Sequence, residues 1–120
     1  GMETVHHVHA DDVAQAFERA VEMPERAIAE SFHLVSEKAL TLRGYAEAIA
    51  ACFGQAPRLR FLPGAEWTNT VSEREAAYTW DHIAHSPNCS IEKARTKLGY
   101  SPGYTSLEAV QESVSDSRPL

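Results

Sequence analysis

Apolar and polar positions alternate weakly over Glu3–Ala10, which predicts a strand, and the period then lengthens. Asp11 stands where an N-cap is needed, with Asp12 at the positive end of the predicted helix. Val13, Phe17, Ala20 and Val21 recur at helical spacing until Pro24 stops the run and opens a short further turn. Ser31–Val35, "SFHLV", reads as a brief strand. Thr41 caps a helix whose stripe is Leu42, Tyr45, Ala46, Ile49, Ala50 and Phe53, closed by Gly54. Arg58–Leu62, "RLRFL", alternates as a strand and ends at Pro63–Gly64.

The second half predicts helices only. Ser72 with Glu75 forms a capping box for a helix to about Trp80. Ser90 caps a short helix carrying Ile91, Ala94 and Leu98 and ended by Gly99. Thr105 with Glu108 opens the last helix, on which Leu107, Val110 and Val114 share a face. The polar tail, residues 115–120, is expected to fray. Strand, helix, strand, helix, strand and three helices predict an α+β fold (α/β-derived). It has a small sheet of about three short strands and about five helices.

Composition narrows the classes. A chain of 120 residues is expected to form one domain spanning 1–120. Its net charge of −6 offers no basic stripe for phosphates, which argues against nucleic acid as a partner. No apolar run is long enough to span a bilayer, so no membrane partner is expected. Cys52 and Cys89 lack C-x-x-C spacing and read as free thiols of a cytoplasmic protein. Gly1 before Met2 reads as a cleavage scar, with Met2 the encoded start.

"VHHVHADD" raises the question of a metal. On a strand His7 and His9 share a side, about 7 Å apart, while His6 points the other way. Zinc needs a third and usually a fourth ligand, and Asp11 and Asp12 are already committed to a helix start. His33, His82 and His85 belong to other elements. The expectation is no metal site, only a strand running into a capped helix.

That segment, "VHADDVAQAF", resembles the "V-H-V-D-D-V-A-x-A" stretch of the NAD-dependent epimerase/dehydratase family, the extended short-chain dehydrogenases. In the family this stretch leads from the nucleotide domain into the smaller substrate domain. "ESFHLVSEKALTLRGYAEAIAACFGQAPRLRFLP" is similar to its "F-N-L-G-S-x-x-x-L-T-L-x-E-L-A" strand and helix and its "R-I-x-F-L-P" strand. "SIEKARTKLGYSPGYTSLEAVQESV" is similar to its closing "S-K-A-x-x-x-L-G-Y-x-P" and "T-L-E-E-G-L" helices. The three pieces run in order over nearly the whole chain.

The family's other half is missing. Its NAD turn needs a Gly-rich loop at a helix N-terminus, but the six glycines stand at 1, 44, 54, 64, 99 and 103. Its catalytic Y-x-x-x-K is absent too: Ile49, His82, Tyr104 and Glu108 follow the four tyrosines at that distance. The resemblance therefore implies a C-terminal, substrate-side part that binds no cofactor and has no catalytic residues of its own. NAD or NADP belongs to the full-length enzyme, and a small-molecule substrate, a sugar or secondary alcohol, is implied with it.

The candidate substrate-binding residues are Arg74, His82 and His85. Arg74 is the only arginine in the interval where the family carries a phosphate-holding one, and its planar fork suits that role. A charge on an amphipathic helix is, however, usually just solvated. His82 and His85 flank "HIAHSPN", which the resemblance places at the substrate cleft. Val5 stands where sugar-nucleotide members commonly have another arginine, which weighs against a UDP-sugar. His33 replaces the family's usual Asn and reads as a satisfied core or edge residue. Trp67 and Trp80 read as ring-stacking residues or as anchors covering the face that meets the missing domain.

Two functional expectations follow. One is a fragment of an NAD(P)-dependent oxidoreductase that is not catalytic alone. The other is a stand-alone small-molecule-binding or self-associating module. A cut from a larger enzyme exposes apolar area, so a homodimer through that truncated interface is the partner expected in either case.

Overall fold

The computed structural model describes residues 2–83 and 85–116. Two compact units emerge, each discontinuous in sequence. One, here the aromatic unit, comprises the described residues among 1–5 and 41–87. The other, the core unit, comprises 6–40 and the described residues from 88 on.

The architecture is mixed helix with one small sheet, which agrees with the expected α+β class. Among the described residues there are two strands, β1 (Thr4–Val5) and β2 (Leu40–Thr41), paired with each other. Seven α-helices accompany them: α1 (Ala10–Glu22), α2 (Pro24–Ala27), α3 (Leu42–Cys52), α4 (Gly64–Trp67), α5 (Glu73–Ile83), α6 (Glu92–Leu98) and α7 (Ser106–Asp116). α7 carries the chain through residues 115 and 116, and the rest of the expected frayed tail lies outside the described residues.

The three expected strands shrink for one physical reason: alternation selects a face, while a strand also needs a partner. Phe32, Leu34 and Val35 do pack on the core and His33 is exposed between them, yet 31–35 forms no ladder. Its backbone groups are taken singly instead. Ser36 N–H donates to His7 O at 3.0 Å, Tyr100 Oη donates to Val35 O at 3.1 Å, and Lys93 Nζ donates to Ser31 O at 2.9 Å. Arg58–Leu62 is likewise extended without a ladder, and only Thr4–Val5 of the first expected strand is paired.

Helix ends follow local chemistry closely. Thr41 Oγ1 accepts from Gly44 N–H at 3.1 Å. Ser72 and Glu75 bond reciprocally, as do Thr105 and Glu108. Those bonds favour the ionised carboxyls and hold both glutamates below the usual carboxylate range. After α3, Gly54 adopts φ +64° while Gln55 N–H reaches back to Ala50 O, a Schellman ending that a Cβ would strain. Two helix starts differ from expectation. α1 is capped by His9, whose ring Nδ1 accepts from Asp11 N–H at 3.2 Å, so Asp11 sits inside the first turn. The cap of α6 is Ile91, with Ser90 Oγ accepting from Glu92 N–H one step earlier.

α1 also turns a different face inward. Asp12 and Ala16, four residues apart, are buried, whereas Phe17 and Val21 are 67% and 80% exposed. The reason is Asp12. Its Oδ1 accepts from Gly103 N–H at 2.6 Å and its Oδ2 from Tyr104 N–H at 3.3 Å. Around this clamp pack Ala16, Ile91, Ala94 and Tyr100, the last with 0% exposure. Burial, with a smaller contribution from the Asp12 charge, pushes the Tyr100 phenol up to about 12. At the unit's surface Glu30 joins Lys97 and, at 2.7 Å, Lys93. The two ammonium groups draw its carboxyl down to about 2.

Asp12→Ala should lower stability by about 2 kcal/mol in urea unfolding, because two part-buried hydrogen bonds to a buried carboxylate are lost. Asp12→Asn, which keeps an acceptor, should cost less.

The pH dependence has two expected limbs. Glu30 has a depressed folded pKa, so its contribution is present above pH ~4.5 and disappears as pH falls toward 2. The stability difference between the parent and Glu30→Gln should therefore vanish over that interval. Tyr100 has a raised folded pKa, so its contribution is intact below pH ~10 and is lost as pH rises through 12. Tyr100→Phe should flatten that alkaline limb in the same urea titrations.

Candidate functional site

The aromatic unit holds a groove of about 440 Å³. One wall comes from the first two turns of α3, where Leu42, Arg43 and Ala46 face the opening. Residues 59–62 supply Leu59, Arg60, Phe61 and Leu62, and Glu3 also lines the groove. Trp67 and Trp80, from α4 and α5, complete it.

Local structure explains why the tryptophans are held there. Pro63 cannot extend a ladder and its carbonyl accepts from the N–H groups of Glu66 and Trp67, both at 2.9 Å, which starts α4. The following 3₁₀ turn, Thr68–Thr70, returns side chains to the carbonyls of Ala65 and Trp67. Gly64 lies beside Trp80: a Cβ there would meet the indole ring at 3.7 Å, an ordinary van der Waals contact. The Ser72–Glu75 box then sets where α5 begins and so where Trp80 points.

The electrostatics of the groove are uneven. Arg43 donates to Glu47 at 2.7 Å, and this hydrogen bond raises its pKa further above the ordinary arginine value. Arg60 has no carboxylate at ion-pair distance among the described residues.

The three residues singled out in the sequence lie elsewhere. Arg74 is exposed in the first turn of α5. His82, in its last turn, stacks on Tyr78 with ring centroids 6.0 Å apart. His85 lies exposed beyond the helix, with Nδ1 3.1 Å from Asp81 O. None of the three lines the groove. The two tryptophans do, and "RLRFL" contributes groove wall where a strand was expected. The signal for that wall was present as alternating apolar residues ending at Pro-Gly.

The clustered histidines have structural work. His6 Nε2 lies 2.7 Å from Ser36 O, and its Nδ1 accepts from Cys89 N–H at 3.2 Å, so the ring proton belongs on Nε2. His9 spends Nδ1 on the cap of α1, turns Nε2 toward Glu112 at 3.2 Å, and stacks on Tyr104 at 3.7 Å. Among the described residues no three His, Cys, Asp or Glu side chains converge on a point that could hold a metal. Gly54 and Gly99, the glycines at positive φ among the described residues, both follow the ends of helices.

His6→Ala should cost about 2 kcal/mol in urea unfolding, since it removes two partly buried hydrogen bonds, while exposed His85→Ala should change stability by less than about 0.5 kcal/mol.

No family model, curated protein or solved structure matches this chain.

Proposed function

We propose that this chain is the substrate-side part of an NAD(P)-dependent epimerase/dehydratase-like oxidoreductase. It would act in redox chemistry at a secondary alcohol or sugar carbon only when a nucleotide-binding half is supplied. The ordered resemblance of three segments motivates the reading. The observation that carries it is the imbalance of the aromatic unit. That unit buries Tyr45 and Ala76 but leaves Phe53, Leu59, Phe61, Tyr78 and Trp80 exposed. Of these, Leu59, Phe61 and Trp80 share the groove, and large apolar side chains exposed together suit an interaction or binding face. In this reading the groove receives the substrate, and the neighbouring apolar surface meets the cofactor half. Arg74, His82 and His85 stand outside the groove, so in this reading substrate contact falls to the groove side chains instead. The free thiols Cys52 and Cys89 fit a reducing, cytoplasmic setting.

A second reading has its own observation. Phe17, Val21 and Ile28 are exposed on the core unit, which suits a self-associating module that forms a homodimer.

The intact mass of the protein as its native host makes it, measured with NAD(H) content, separates the two. A polypeptide of roughly 300 residues that retains NAD(H) is the expected result. A native chain no longer than this one, without nucleotide and sedimenting as a dimer, would overturn the first reading in favour of the second.

A further inference from the structure

We infer that the groove of the aromatic unit accepts a flat, largely apolar ring skeleton bearing a single anionic group, in place of a nucleotide sugar. The inference rests on reading this groove as the substrate site. It comes from what the walls can and cannot do. Trp67, Trp80, Phe61, Leu59 and two further leucines offer faces for stacking and apolar contact. The polar side chains are Glu3, Arg43 and Arg60, together with the two indole N–H groups. Among the described residues no serine, threonine, asparagine, glutamine or histidine lines the groove. A sugar ring brings a hydroxyl on nearly every carbon, and a pyrimidine base brings amide edges. Each such group left unpaired on entry weakens binding by about tenfold. A fused-ring skeleton meets no such penalty, and a volume of about 440 Å³ lies in the lower part of the range for small-molecule sites.

The charges select the rest. Arg43 is committed to Glu47, whereas Arg60 is unpaired among the described residues and can grip one carboxylate through its planar fork. The ligand is thereby an amphiphile with one anionic end.

The chain's only two tryptophans are both in this groove, so the two indole N–H signals of the ¹⁵N-labelled full chain report on it directly. Three probes are titrated: 2-naphthoate, its neutral counterpart 2-naphthylmethanol, and UDP-galactose. The expected result is a saturable shift of both indole signals by 2-naphthoate and none by UDP-galactose at the same concentrations. Arg60→Gln, an exposed position, should weaken 2-naphthoate about fivefold and leave 2-naphthylmethanol unchanged. An unchanged 2-naphthoate affinity in that variant would overturn the anionic end. Tighter saturation by UDP-galactose would overturn the apolar class while leaving the groove as a substrate site. Silence of both signals toward all three probes would remove the groove from the proposed function altogether.

Discussion

The carboxylate of Asp12 organises the core unit. It is buried, it stands in the first turn of α1, and its two oxygens accept the backbone N–H groups of Gly103 and Tyr104, some ninety residues away. A carboxylate taken out of water is tolerable only with such partners. The interaction therefore fixes which side of α1 faces inward and where the chain must return before α7 starts. Tyr100, Ala94 and Ile91 fill the space next to it, and His9, one turn before, adds the cap and the stack on Tyr104. Removing the clamp would free the helix to rotate toward the face its apolar residues prefer, since Phe17 and Val21 lie on the other side.

That competition explains which parts of the fold could be read from residues alone. Caps are local: Thr41, the Ser72–Glu75 and Thr105–Glu108 boxes and the glycine at 54 act within a few residues, and all are found as expected. The face of α1 is not local, because a polar residue with a distant partner outranks two apolar ones without any. Strands fail for a related reason. The alternation of Phe32, His33 and Leu34 correctly separates inward from outward, but pairing depends on a neighbour that sequence periodicity cannot name.

The site was legible in the same partial way. Charge and imidazole in the sequence point to Arg74, His82 and His85, which are exposed and lie outside the groove. What distinguishes the groove is shape, made by Pro63, Gly64 and the spacing between Trp67 and Trp80. Both tryptophans stood out in the sequence as anchors or stacking residues. The role of "RLRFL" did not, since the same alternation serves a ladder or a wall equally well.

The two units differ in how far each satisfies itself. The core unit closes its polar account through His6, Asp12, Ser36 and Tyr100, each buried or half-buried and each hydrogen-bonded. The aromatic unit instead holds its rings by backbone turns and caps while leaving the ring faces open. A ring whose neighbouring backbone is already fixed by turns and caps loses less conformational entropy when something covers it. Arginine placed beside such rings adds direction to an otherwise undirected attraction. In the reading proposed, recognition would rest on groove side chains from α3, residues 59–62, α4 and α5, and the catalytic chemistry would be left to another part of an enzyme.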